Sequence, residues 1–429
     1  MKKILTLATA LATSAMAAES LGDAFAEAKV SGQVRSFYID RTFNGGLTTT
    51  RNALAIGGNL GVTTGEVAGL SMGVRYYSTE QLHWFEKSSI DPSLFGSGLA
   101  SYSVLGEAFL QYKAGKTAVK YGKQKINTPL AGSDDARMLP NLFNGVVVSN
   151  SSVENLTIIG AHLTDMAVGS FGNVYGAAGS QLSLISGYGL GFQLGTSGKF
   201  ASMSNIALGS TVNTLGVSAL AAVYNAGGLK VQAWDYFAYD ILNALYADAS
   251  YSLDLGGAKV TAAAQVIQES GVGSNALNTK VNSLYYAGKL AVSAGMVSGY
   301  VALSQTGTDT STTTNGGIIS PWGGMPAYTQ GMVTRHQFYA GTEAAKVALV
   351  VKPMDDLKVV GYYAYFHVSA DNAYDSKAYD STEPGFDVIY QATKKLQLRA
   401  RGNFASNFYY KNSLLTGWNE YRLIMNYNF

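Results

Sequence analysis

Between Pro129 and Pro140 the chain places Asp134, Asp135 and Arg137 within four positions, two acids and a base on a segment whose backbone freedom the prolines restrict. Carboxylate and guanidinium groups opposed across a narrow passage create a transverse field that sorts solutes by charge and dipole. The plainer alternative is a solvated loop with a local ion pair. The same two acids supply two of the several oxygens a calcium ion takes; this falls far short of an EF-hand pattern, and most such pairs bind nothing, so no metal or other cofactor is assigned. His83, His162, His336 and His367 are dispersed, with no metal spacing such as H-E-x-x-H, and there is no Cys. Thiolate chemistry and a disulfide framework are therefore absent, and the chain is not expected to be an enzyme.

A second set of charges is periodic. Arg399 and Arg401 alternate with Leu398 and Ala400, and on a β-strand that spacing puts both guanidinium groups on one face and the apolar residues on the other. Leu70, Met72, Val74 and Tyr76 alternate likewise with Ser71, Gly73 and Arg75, and Val30, Val34 and Tyr38 with Gln33 and Arg35. The final nine residues carry the same period: Tyr421, Leu423, Met425, Tyr427 and Phe429 form one face, with Arg422 on the other. A soluble domain rarely ends on a bare aromatic strand, because the edge invites aggregation. In a membrane barrel the apolar face meets lipid and both edges are paired. Phe429 and Tyr427 then read as a terminal signal for the outer-membrane assembly machinery. An Arg facing lipid near the bilayer midplane costs roughly 2–4 kcal/mol, so Arg35, Arg75, Arg399, Arg401 and Arg422 are expected to line a water-filled lumen.

Met1-Lys2-Lys3, the apolar run Ile4 to Ala12 and Ala15-Met16-Ala17 read as a secretory signal peptide over residues 1–17, leaving 18–429 as one barrel domain. Hydrophobic residues make up 47% of the chain, yet no later apolar run is long enough for a membrane helix. Without Lys2 and Lys3 the 30 basic residues become 28, matching 28 acids, and give no basic excess for nucleic acid.

Period-2 segments bounded by turn signals predict about eighteen strands, near 29–39, 51–63, 70–80, 102–114, 117–125, 145–153, 156–164, 214–225, 229–239, 243–253, 258–269, 281–292, 295–305, 335–350, 356–369, 384–394, 396–407 and 418–429. Short gaps alternate with long polar ones, 81–101, 126–144, 165–213 and 306–334 among them, as periplasmic turns alternate with external loops in a transmembrane antiparallel β-barrel. The gap 240–242 breaks the alternation and marks either a subunit contact or a miscounted strand. Barrels of sixteen or more strands leave an aqueous channel. These readings make the chain a porin for passive diffusion of small hydrophilic solutes and ions, set among outer-membrane lipids and lipopolysaccharide, with a substrate-selective channel for small carboxylates, amino acids or peptides as the first alternative. A surface protein whose loops 165–213 and 306–334 adhere to host or matrix is the alternative of another class.

The run Gly122-Lys123-Gln124, Asn127-Thr128-Pro129 and Ser133 to Gly145 resembles the constriction-loop segment of OprD-type porins, as does Asn155 to Ala161. Leu396 to Arg401 and Glu420 to Ile424 resemble the family's basic penultimate strand and closing strand, and Val231 to Tyr236 with Asp240 to Ala244 is similar to the major porins of epsilonproteobacteria. The resemblance implies eighteen strands, an inward-folded loop at 126–144 and a ladder of basic side chains guiding anions, at Arg399, Arg401 and Arg422. It also implies generalist channels in the epsilonproteobacterial branch, some of them homotrimers with calcium near the constriction, and carboxylate-selective channels elsewhere in the family.

Overall fold

The computed structural model describes residues 20–46, 48–86, 89–174, 197–208, 213–273, 281–324, 326–373, 377–411 and 414–429; the expected leader at 1–17 lies outside them. Eighteen long antiparallel strands follow one another around a closed barrel. They are β1 (Lys29–Gly45), β2 (Thr50–Thr63), β3 (Leu70–Gln81), β4 (Tyr102–Ala114), β5 (Thr117–Gln124), β6 (Leu142–Asn150), β7 (Leu156–Ala167), β8 (Val217–Ala226) and β9 (Leu229–Ala238). The second half comprises β10 (Leu242–Asp254), β11 (Ala258–Gly271), β12 (Asn282–Ala294), β13 (Val297–Thr306), β14 (Glu343–Met354), β15 (Leu357–Val368), β16 (Tyr379–Gln391), β17 (Leu396–Lys411) and β18 (Leu414–Asn428). A two-residue strand, Ala201–Ser202, adds to β7 beyond the end of β8. Closure is made by β1 on β18, paired from Gln33↔Asn428 to Gly45↔Thr416.

Alternation within each strand separates two environments. On the outside Leu303 is 67% exposed and Leu423 58%, while their neighbours Ser304 and Arg422 are 8% and 1% exposed on the inside. The stretch Tyr362 to Phe366 divides in the same way: Tyr363 faces out, whereas Tyr362 hydrogen-bonds Glu383 inside and Phe366 is buried. An apolar exterior with every strand edge paired is the arrangement a lipid solvent requires.

The expected strands recur with three informative differences. The fourteenth begins at Glu343, not 335, because His336–Phe338 forms a buried 3-10 turn inside the barrel. The sixteenth begins at Tyr379, ahead of Pro384, which was expected to open it. Pro384 is tolerated because the β16–β17 register skips from Thr382 to Gly385, so no ladder bond is asked of a residue without an N–H. The first hairpin runs on to Gly45 and Thr50, beyond the expected ends at 39 and 51. The short connection at 239–241 is a true turn between paired strands β9 and β10, so no strand is miscounted there.

At the closing seam Gly32 and Phe429 exchange backbone hydrogen bonds of 3.0 and 3.1 Å. A Cβ on Gly32 would lie 2.5 Å from the Asn59 carbonyl oxygen and 2.6 Å from the Phe429 ring, whereas one on Gly160 meets nothing within 4 Å. Gly32→Val is therefore expected to weaken the seam by about 1–3 kcal/mol and lower the temperature at which the barrel loses its compact gel migration, with Gly160→Val close to the parent. Equal behaviour of the two variants would show that seam packing does not limit barrel stability.

Candidate functional site

The lumen wall carries cations grouped around shared carboxylates. On β16 and β17, Asp387 accepts from Arg399 Nε at 2.7 Å and lies 3.5 Å from Arg401 Nε. Across β3 to β5, Glu107 pairs with Arg75 at 3.4 Å and Lys120 at 3.9 Å and accepts the Tyr77 hydroxyl at 2.7 Å. These side chains keep 12–25% of their surface exposed, so each group is partly solvated.

The segment 125–141 between β5 and β6 turns into the barrel and completes a third group. Asp135 sits 2.7 Å from Arg35 and 2.8 Å from Lys125. Burial opposes its ionisation, but Arg35 and then Lys125 hold its carboxyl well below the usual carboxylate range. Arg35 also bonds Asn426 on β18 at 2.9 Å and the Arg137 carbonyl, so one wall side chain fastens the loop at two points. Asp134 points elsewhere. In the left-handed region (φ +39°), it accepts the Gly324 N–H at 3.1 Å from a second inward loop. Asp134 and Asp135 are thus committed to different partners, and no group of three potential metal ligands occurs among the described residues.

Arg137 is fully buried and directed into the wall. Its guanidinium lies 3.6 Å from Glu420, donates to Ser93 Oγ at 3.1 Å and sits 5.2 Å from the Phe171 ring centroid. Glu420 also receives Arg41 at 2.5 Å and Arg422, and Arg41 reaches Asp91 at 3.2 Å. Three arginines from β1, β18 and the loop thus close on two carboxylates, all with side chains at most 1% exposed. Arg422 belongs to this sealed group, apart from the partly solvated pair formed by Arg399 and Arg401. The residues that sequence reasoning missed, Arg41, Asp91 and Glu420, are charges that look like any others until barrel closure brings them together.

The larger omission is segment 314–342, whose residues up to 334 were expected within the external loop 306–334 and the rest within a strand from 335. It folds inward: Ile318, Ile319, Trp322, Val333, Thr334 and His336 are almost wholly buried. Three carboxylates hold its backbone: Glu269 takes the Ile319 N–H at 2.8 Å, Asp134 takes that of Gly324, and Glu383 accepts those of Met332 and Thr334 at 2.6 and 2.9 Å. Trp322 bridges to Met203 O at 2.9 Å, and its own carbonyl accepts the Gly132 N–H at 3.0 Å, so the two inward loops lock together. The apolar pair Ile318-Ile319 followed by Trp322 was the available signal, since a solvated loop has little use for such residues.

A closed eighteen-stranded barrel with an apolar exterior, a charged lumen and two loops folded into it defines a membrane channel of the outer-membrane type. The family model described as "OprD: outer membrane porin, OprD family" matches residues 23–429, and the chain belongs to the OprD family of outer-membrane porins, which reside in the Gram-negative outer membrane and pass small solutes. No curated protein matches it. Among solved structures it is similar to a BenF-like porin from Pseudomonas fluorescens (TM-score 0.76, 16% identity, covering 94% of this chain and 99% of that one). It is also similar to Pseudomonas aeruginosa OpdK with vanillate (TM-score 0.73, 16%) and to OccK9 (OpdG) from the same organism (TM-score 0.73, 18%), with the same 94% and 99% coverage.

Two outcomes follow. Removing the negative node by Glu420→Gln leaves three packed guanidinium groups with Asp91 alone, an imbalance expected to cost about 3–5 kcal/mol and to appear as a lowered unfolding temperature in heat-modifiable gel migration. An unchanged transition would mean that the cluster is compensated from elsewhere.

The second outcome concerns His336. Burial pushes its imidazole down to about 4, against the opposing 2.7 Å hydrogen bond with the Phe408 carbonyl. Because this lies below the ordinary value of about 6.5, the undocked loop binds more protons between the two, so docking is strongest above that range and weakens as pH falls through it. The protection of residues 332–340 against hydrogen exchange, taken relative to the intrinsic rate at each pH, is expected to fall between pH 7 and pH 4, and His336→Gln to flatten that response. A pH step that survives the substitution would assign it to other groups.

Proposed function

We propose that this porin passes small hydrophilic solutes by passive diffusion with a preference for small organic anions, and that Arg35, Arg75, Arg399 and Arg401 guide them past the constriction formed by segment 125–141. One observation carries the preference: in the three partly solvated groups, Arg35 and Lys125 share Asp135, Arg75 and Lys120 share Glu107, and Arg399 and Arg401 share Asp387. Each carboxylate answers two cations, so each group retains one positive charge toward the water. Such charges attract anions without holding them, as a conducting site must. Within this proposal Asp135 sets the charge at the narrow point, Asp134 positions the opposing loop, and Arg137 anchors the constriction to the wall.

Carboxylate selectivity is the stronger form of the same reading and is favoured by the paired geometry of Arg399 and Arg401, two guanidinium groups two residues apart. The bound vanillate of OpdK, itself a carboxylate, is in keeping with it. The segments Val231 to Tyr236 and Asp240 to Ala244 support kinship with the generalist epsilonproteobacterial branch. Tyr427 and Phe429, exposed on the outer face of the closing strand, are proposed as the contact for the assembly machinery. The adhesive alternative is less favoured for loop 306–334, since its described residues from 314 on are mostly buried or half-buried.

Single-channel recording across a salt gradient tests the reading. Neutralising Arg399 and Arg401 to Gln is expected to move the reversal potential toward cations with the barrel intact. The shift should be largest at 0.1 M salt, where the Debye length is about 10 Å, and masked at 1 M, where it is about 3 Å. Unchanged selectivity at 0.1 M would remove these residues from the conducting path.

A further inference from the structure

We propose that the start of the external connection between β3 and β4, Leu82 to Phe85, is a lipid contact: it lies against the outside of the barrel and seats Trp84 at the boundary of acyl chains and head groups in the outer leaflet. Strand residues meet lipid because of their facing, but a loop residue does so only where the chain is brought back onto the wall. Two contacts bring it back here. Leu82 donates its N–H to the Leu54 carbonyl at 3.0 Å, and the Phe85 ring packs beside that of Tyr38, with centroids 6.1 Å apart. Tyr38 is on the lipid side, since Phe37 and Ile39 on either side of it are buried inside and it borders an exterior groove with Leu423 and Met425.

The level of this tip follows from the cross-strand rows. Leu423, Tyr38 and Leu54 form one row across β18, β1 and β2, which Leu82 extends, and Tyr421, Asp40 and Asn52 form the next outward-facing row but one position further, towards the external end. The exterior of β1 and β2 changes from apolar to polar between these rows, and the tip leaves the sheet at that boundary. Aromatic rings mark the same level on the neighbouring strands. Tyr421 packs edge-on against Phe404 at 5.5 Å, and Phe404 lies 6.4 Å from Phe386. Phe85 and Trp84 carry this band past β2, from strands onto a loop. Tryptophan suits the boundary, with an apolar body and one N–H to offer a head group.

The far end of the same connection is held inside the barrel. Asp91 pairs with Arg41 at 3.2 Å, and Leu94 and Phe95 are fully buried in one cluster with Met138 and Leu139 of the constriction segment. The connection therefore straddles the rim and is fastened on both sides of the wall. Trp84 is nevertheless 74% exposed, whereas Trp234, Trp322 and Trp418 are at most 5% exposed. A large ring uncovered by protein and continuous with the lipid-facing band fits lipid better than water.

The inference rests on the membrane barrel and not on the solute it passes, so the test uses the full-length porin folded into phosphatidylcholine vesicles. Tryptophan emission is measured with lipids brominated near the head-group end of the chain or near its middle, and separately with iodide in the water. Trp84→Phe gives the share of Trp84 by difference. Bromine near the head group is expected to quench that share more than bromine at mid-chain, and iodide to quench it less than in the unfolded protein. Phe85→Ser, which removes the ring beside Tyr38, should increase quenching by iodide and reduce quenching by lipid. Compact gel migration of both variants checks that the barrel is intact.

The inference is overturned if iodide reaches Trp84 in vesicles as freely as in the unfolded chain, if neither brominated lipid quenches it, or if Phe85→Ser folds and leaves both signals unchanged. Shielding from iodide without quenching by lipid would assign the tip to a second copy of the chain, and would overturn the lipid contact as well.

Discussion

A bilayer offers the backbone no hydrogen-bond partner, and this constraint orders the rest of the molecule. Every strand must be paired on both edges, so β1 has to meet β18, where Gly32 and Phe429 exchange their backbone hydrogen bonds. Once the wall is closed, the alternation of a strand leaves each side chain one of two solvents, lipid or the lumen. Arg399 and Arg401 enter the lumen because Leu398 and Ala400 take the lipid side. The interior charge is thus the geometrical counterpart of the greasy exterior.

Charges collected inside a tube create the next demand, since a guanidinium removed from water requires a carboxylate and further donors. The structure answers with loops as well as wall residues. Arg41 and Glu420 are near neighbours across the β1–β18 seam, where Arg41 pairs directly with Glu420, and Arg137 and Asp91 reach them from two external segments. Closing the barrel therefore builds the anchor for the constriction. This coupling explains why Arg137, whose position between two prolines suggested a lumen-facing charge, sits at 1% exposure: its carboxylate partner belongs to the wall.

Strand number and facing were legible in sequence because they depend on local period and turn chemistry, whereas the inward turn of residues 126–144 was implied only by the resemblance to OprD-type porins. Val30, Leu70 and Leu398 announce the lipid face within two residues of themselves. Which charges meet was not legible: Arg41 and Glu420 lie 379 positions apart, and their pairing exists only through closure. The start of β14 was missed for a related reason. His336, Gln337 and Phe338 look like a strand entry by composition, but His336 packs against Tyr339, Phe366, Tyr379 and Phe408, a cage assembled from β15, β16 and β17.

Segment 314–342 shows the deeper limit. Many of its attachments are backbone groups held by polar side chains of the wall, such as Glu269, Ser283, Thr306 and Glu383, and a backbone group carries no sequence signature. What remains visible is a constraint on side-chain size. A Cβ at Gly331 would approach Glu383 Oε2 to 2.3 Å, and one at Gly324, whose φ is +88°, would approach the Pro129 carbonyl oxygen to 2.1 Å. Glycine is required at these points because another group must come close to the main chain. The glycines of this loop thus record where it touches the barrel and its companion loop, although to a reader of sequence alone they suggest a flexible, solvated segment. Composition identifies a residue that permits close approach; only the fold shows what approaches.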